Sequence, residues 1–560
     1  MFIRTTRNGA GQAYYHLVES YRSDGKVKQR TLLSLGRVED GQLEQLAHAI
    51  AKHTDLLSAL DVAKTIDVEN TFVLGPLLVL RGLFERLGID AALERLEATH
   101  PKLGFSLREV VFALVAARFV RPASKLAVYE QQLDHFYPDA MQTDDLSLHQ
   151  LYRALDVLKT GKDDLETSLF MHGRDLFSTQ VDVVLYDLTT LRFESTQETE
   201  KLRRFGFSKE KRNDCTQVVL GLIVDPEGIP LGFEVYPGNT VEGKTLVDIV
   251  QKMREKFRVR RFIFVADRGL LSKANLEAIR SVEGEFIVGM RIGGLAKKRP
   301  ELYDRCHFRE VKEGLEVFET TFGEDRGVVT WSRERAFRDR KVRDDILEKL
   351  RAKLRGKKVS AKTFVSNSNY RFFLKGLDKG QTPTLDETKI AAAQKKDGFF
   401  AIVTNLRDQS GAELFAQYKE LWRIEDVFGE LKGTLKARPV FHWKDDRIVG
   451  HLTMCFLALL CEAHITRALR QSHAATNGRA VRAATIASRQ LTAATVLREL
   501  AEVRAIPVSV GHQKLWVRTD ITGHVARLFQ SLGLRIPPRL LKRENVVAQD
   551  PDATATHQIR

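Results

Sequence analysis

Three acids far apart in the chain, Asp187, Asp267 and Glu425, stand in settings that give carboxylates chemistry to do. Glu425 lies in the stretch 414–435. On one continuous helix, at about 100° per residue, Leu414, Tyr418, Leu421, Trp422, Phe428 and Lys432 fall within about 60° of it. The acid then sits at the centre of an apolar stripe, and its helical neighbours Leu421, Trp422, Phe428 and Gly429 offer no cation. Such a carboxylate is protonated, paired with a distant Arg or Lys, or bound to a metal. Taken alone it favours the distant pair. Asp187 closes the expected strand 181–187 and is followed by Leu-Thr-Thr; Asp267 closes the wholly apolar strand 262–266 and is followed by Arg-Gly. Strand-end acids commonly cap turns, yet ligands also gather beyond strand ends in open sheets. Three carboxylates together make a hard oxygen set suited to Mg²⁺ or Mn²⁺. Two such ions activate a water or a 3′-hydroxyl and stabilise the leaving oxygen of an in-line phosphoryl displacement.

The elements that must bring these acids together read as follows. Residues 2–35 alternate as strands, with Ser23-Asp24-Gly25 as a hairpin turn, and Arg4, Arg7, Lys26, Lys28 and Arg30 make this small sheet basic. From about 41 to 178 the pattern is helical, with helices expected over 73–87, 107–119 and 146–158. The segment from Pro122 to Arg153 is a candidate helix-turn-helix. Strands are then expected over 181–187, 217–224 and 229–236, a helix over 243–257, the strand 262–266, a helix capped by Ser272, and a strand over 285–290. Residues 291–398 break this rhythm. Within them, 333–358 carry twelve Lys or Arg against five Asp or Glu, read as a basic helix around 344–354. A core strand resumes at 399–404 and leads into the Glu425 helix, an apolar helix follows at 447–469, and 471–560 form a small C-terminal domain with a polar tail. The domains expected are thus 1–40, 41–178, 179–290, 291–398, 399–470 and 471–560.

The composition bounds the partners. Of 560 residues, 88 are Lys or Arg and 73 Asp or Glu, a formal net charge of +15, which favours a polyanion such as double-stranded DNA. Four cysteines, with no C-x-x-C pair, fit a reducing compartment without structural zinc. No apolar run reads as long enough to span a bilayer, so the expectation is a cytoplasmic, nucleoid-associated bacterial protein with no membrane contact.

Tyr418, Glu425 and Lys432 follow one another at seven-residue intervals. In this they resemble the YREK signature of bacterial insertion-sequence transposases with a DDE triad. Ala266-Asp-Arg-Gly-Leu-Leu-Ser is similar to that group's second-aspartate motif and Tyr186-Asp-Leu-Thr-Thr to its first. The resemblance covers roughly 180–470. It implies an α/β, RNase H-like mixed sheet with flanking helices, interrupted by an insertion before the Glu helix. It also implies Asp187, Asp267 and Glu425 as catalytic ligands of two Mg²⁺ (or Mn²⁺) ions. Tyr418, Trp422, Lys432, Arg268 and Arg438 become the expected DNA contacts, and the partners become inverted-repeat ends and target DNA, met by a homodimer. Leu421 stands where the signature has its arginine, and Arg423 lies about 200° around the helix from that face.

A rival motif lies in the same region. Residues 238–245, Gly-Asn-Thr-Val-Glu-Gly-Lys-Thr, match the phosphate-binding P-loop pattern, with 262–267 as its companion acidic strand. An ATPase acting on DNA, or a DNA-binding protein without catalysis, are the alternatives.

Overall fold

The computed structural model describes residues 2–23, 26–36, 71–141, 146–173, 182–207, 212, 214–241, 245–257, 261–293, 298–355, 368–376, 383–476, 493–510 and 513–541. Two compact units divide the chain, Met1–Ala154 with His464–Arg560, and Leu155–Ala463.

The N-terminal alternation forms β1 (Phe2–Arg7), β2 (Ala13–Ser23) and β3 (Lys26–Gly36), an antiparallel sheet in that order. Its five basic side chains are exposed, and the expected Asp24-Gly25 turn lies outside the described residues. After β4 (Phe72–Val73) come α1 (Gly75–Arg86), α2 (Ile89–Ala98), α3 (Leu107–Val120) and α4 (Lys125–Gln131). Ser106 and Ser124 cap the last two by accepting from the backbone N–H of Glu109 and Ala127. The next helices are α5 (Leu148–Thr160) and α6 (Lys162–His172). Residues 132–147 separate α4 from α5, far more than the three or four of a helix-turn-helix, so that expectation fails for this pair.

In the second unit the sequence rhythm is realised closely. β5 (Asp182–Arg192), β6 (Gln217–Val224) and β7 (Pro230–Pro237) form an antiparallel meander. The β6–β7 turn closes where Asp225 Oδ1 accepts from the N–H of Glu227 and Ile229, with Gly228 at φ +88°. Next come α7 (Thr245–Phe257), β8 (Phe262–Ala266), α8 (Lys273–Ser281) and β9 (Glu285–Met290). β8 pairs in parallel with β5 on one side and β9 on the other. The order β9-β8-β5-β6-β7, with β6 reversed, is an RNase H-like core, and its apolar strands are buried. This order excludes the P-loop reading. β7 is an edge strand antiparallel to β6, and β5 and β6 lie between it and β8. Asp267 therefore cannot serve as the neighbouring-strand acid of a loop at 238–245, of which 242–244 lie outside the described residues.

The insertion is not a free-standing body. Its strands β10 (Arg309–Lys312), β11 (Leu315–Phe322) and β12 (Asp325–Ser332) continue the same sheet. The basic helix α9 (Arg333–Leu354) follows directly, beginning earlier than the charge pattern indicates because Ser332 caps it. With α10 (Ser368–Phe372), β13 (Leu374–Lys375), β14 (Thr384–Leu385) and α11 (Glu387–Gln394), it buries a small core around Leu347, Leu350, Phe373 and Ile390. β15 (Phe399–Thr404) pairs with both β12 and β9, completing nine strands in the order β10-β11-β12-β15-β9-β8-β5-β6-β7.

The stretch expected as one helix over 414–435 is two, α12 (Gly411–Lys419) and α13 (Trp422–Lys432). Glu420, Leu421, Arg423 and Ile424 each donate to the carbonyl three residues back, a tightened turn that resets the helical phase. Glu425 is accordingly exposed, and α13 buries Ile424, Val427, Phe428 and Leu431 instead. The last long helix, α14 (Asp445–Thr476), is by length and composition alone apolar enough to cross a membrane, although His451 and Glu462 interrupt its apolar run. Its most apolar window is 89% buried within the protein, as befits a core helix. Finally, α15 (Ala493–Ala501), β16 (Arg504–Val510), β17 (Gln513–Arg518), α16 (Gly523–Ser531) and β18 (Leu540–Leu541) return to the first unit, where β16 pairs with β4.

Candidate active site

The parallel ladder puts two of the acids side by side. Tyr186 on β5 pairs with Ala266, the last residue of β8, so Asp187 and Asp267 are the next residues on adjacent strands, about 4.8 Å apart in the pairing direction. Asp187 is not at a strand end as expected. β5 runs on to Arg192 because its other edge pairs with β6, where Asp187 faces Leu222. It is β8 that stops, and the space opens above that stop.

Glu425 arrives in the first turn of α13, which packs beside β5. That end of the helix favours negative charge. Asp187, Asp267 and Glu425 all line one cavity of about 380 Å³, together with Tyr418 and Trp422. Asp187 is half-buried, the other two acids exposed. Of the remaining expected DNA contacts, Lys432 lies at the far end of α13, Arg268 is exposed beside Asp267, and Arg438 follows the helix half-buried; none of these three lines the cavity.

Tyr418 has a role the spacing did not disclose. Its hydroxyl donates to Asp267 Oδ1 at 3.2 Å, and its ring lies 5.0 Å from that of Phe400. Burial first, then the Asp267 carboxylate, push its pKa above the ordinary phenol range, so it remains a donor. Gly289 of β9 makes room: a Cβ there would stand 2.5 Å from the hydroxyl oxygen.

Sequence reasoning also missed the cavity's cationic wall, Arg335, Arg338 and Lys419. The available signal was the basic run after 333, which composition alone could not place. Leu421 lines the cavity too, while Arg423 pairs with Glu420 and stacks on Trp422 at 5.1 Å.

The donor set fits divalent metal by chemistry: three carboxylates, all hard oxygen ligands. Among the described residues, three ligand atoms gather within 4.8 Å at Asp304, Cys306 and His307 and at Asp163, Glu166 and Glu234, but not at the cavity acids.

This sheet, interrupted by an insertion and carrying acids on adjacent strands and on a later helix, defines the class of DNA-acting DDE enzymes. Residues 179–461, just over half of the chain, match the transposase DDE domain, and the chain belongs to that family. Residues 3–60 match the N-terminal domain of the IS1634 family transposases, which makes this a transposase of the bacterial insertion-sequence type. No curated protein matches the chain.

Proposed function

We propose that this transposase binds the inverted-repeat ends of its element as a homodimer, cuts them hydrolytically, and passes each freed 3′-hydroxyl into target DNA in the bacterial cytoplasm. Asp187, Asp267 and Glu425 are its metal ligands. The observation that carries the reading is the meeting of these three acids, from β5, the end of β8 and α13, on one cavity. Two bound Mg²⁺ or Mn²⁺ ions would supply an activated oxygen nucleophile and stabilise the leaving 3′-oxygen.

The chain's own part is to hold geometry. Asp187 and Asp267 stand on paired strands of a buried sheet, so their separation is fixed by backbone hydrogen bonds. Tyr418 fixes the rotation of the Asp267 carboxylate rather than reaching first for a phosphate. Trp422, 46% exposed at the cavity, offers a stacking face to an unpaired base or sugar. Lys432, Arg268 and Arg438 extend the contact along the phosphates, and their bonds with DNA make affinity fall steeply with salt.

Glu425→Gln tests the assignment. It keeps the shape and removes the charge, and cleavage of end DNA in Mg²⁺ should drop on the order of a thousandfold, with DNA binding retained. Cleavage at the wild-type rate would refute Glu425 as a ligand.

A further inference from the structure

The family signature leaves a gap that the fold closes from another direction. Where the signature has its arginine, this chain has Leu421, and Leu421 still faces the cavity. We propose that Arg335 and Arg338, from the start of the insertion helix α9, bind the phosphate of the strand held at the three acids, and that Arg335 replaces the missing signature arginine. This rests on the reading of Asp187, Asp267 and Glu425 as the DNA-cutting centre.

Topology explains why a helix from the insertion reaches this place. β15 runs antiparallel to β9, and β12 antiparallel to β15. β12 therefore points the same way as β5, β8 and β9, and ends at the same sheet edge as Asp267. Ser332 ends β12 and caps α9, so the first turns of α9 stand at the cavity. Arg335 and Arg338 are three residues apart, hence neighbours on one helical face.

The helix is also held firmly. Asp339 Oδ2 accepts from Gly398 N–H at 3.0 Å, Trp331 Nε1 donates to the Asp397 carbonyl at 3.1 Å, and Arg343 pairs with Asp397. Arg335 lies over the Phe400 ring, 4.6 Å from its centroid, on the ring that also packs against Tyr418. The Asp339 carboxylate comes no closer to its Nε than 3.8 Å, and that buried Nε makes no hydrogen bond. Arg338 is exposed, with Glu334 at 3.9 Å. These are loosely engaged guanidinium groups on a firmly held helix, lining the same cavity as the three acids. A planar fork of donors is suited to phosphate.

The test uses the full chain and a duplex carrying the terminal repeat that bounds its own gene. Phosphates of the cut strand are replaced one at a time by neutral methylphosphonates, and affinity is measured without divalent metal. One replacement beside the cut site should weaken wild-type binding about tenfold, as the loss of a charge-assisted contact predicts. The same replacement should weaken Arg335→Ala binding no further. Arg338→Ala, at an exposed position where folding is not at risk, should lose sensitivity at the same or the adjacent phosphate. Adding Leu421→Arg to Arg335→Ala should restore the sensitivity.

If every methylphosphonate costs Arg335→Ala and Arg338→Ala as much as it costs wild type, the proposal is overturned, even while Glu425→Gln still abolishes cleavage. If instead Glu425→Gln cleaves normally, the underlying site assignment has failed, and that result is read in a different assay.

Discussion

Two acid clusters in the second unit invite comparison. Asp163, Glu166 and Glu234 crowd within 4.8 Å, with Glu166 fully buried, and on geometry alone they look the better metal site. They are not empty of charge. Lys162 reaches Glu166 at 3.3 Å and Glu234 at 3.0 Å, Lys256 pairs with Asp163 and Glu166, and Lys252 reaches Glu234 at 3.0 Å. Burial works to lower the Lys162 pKa, but Glu166, Glu234 and Asp163 outweigh it and hold the ammonium above its ordinary range. Asp187, Asp267 and Glu425 do not crowd so closely; Asp267 and Glu425 are exposed, Asp187 is half-buried, and all three share their cavity with Arg335 and Arg338. The compact cluster has its counter-charge built into the chain as three lysines, whereas the cavity acids are the ones for which divalent ions are proposed.

The comparison can be broken most forcefully at Lys162. Lys162→Met removes one of the cluster's three ammonium groups while Lys252 and Lys256 remain, and should lower stability by about 3 kcal/mol, seen as a fall in melting temperature, with cleavage per folded molecule unchanged. A variant as stable as wild type would mean the buried cluster is not self-neutralised. Next in size is the response to Mn²⁺. At a hundredfold excess over its dissociation constant, the ion should stabilise wild type by about 2.7 kcal/mol, and Asp187→Asn or Asp267→Asn should abolish that gain. If the gain survives both but disappears in Glu166→Gln, the two clusters have been assigned the wrong way round. The smallest effect sharpens the open site: Tyr418→Phe removes one hydrogen bond to Asp267, about 1 kcal/mol, and should cut the cleavage rate roughly fivefold with little change in DNA affinity. An equal loss in affinity alone would return Tyr418 to the role of a phosphate contact.

Much of the scaffold was legible because burial on both faces writes itself into sequence. The runs Gln217–Val224, Phe262–Ala266 and Glu285–Met290 are strands as read, and Ser272 caps its helix by accepting from Asn275 N–H at 3.2 Å. Asp267 was legible for the same reason, following the wholly apolar strand Phe262–Ala266, whereas Asp187 lies inside β5 and not at its end. What pattern could not supply was phase and pairing. A single tightened turn at Glu420–Leu421 moved Glu425 off the buried face. Likewise the length of β5 depends on β6 as its partner, and the reach of Arg335 depends on β12 joining the sheet. Neither is a local property of the residues concerned.

That last join bears on how this protein can be taken apart. β15 is held on one edge by β9 and on the other by β12, so excising the insertion would convert an interior strand into a naked border, open to pairing with another molecule. A shortened transposase made by deleting that segment would be expected to clump rather than to act as a trimmed enzyme, and any graft in its place would have to bring a strand of its own.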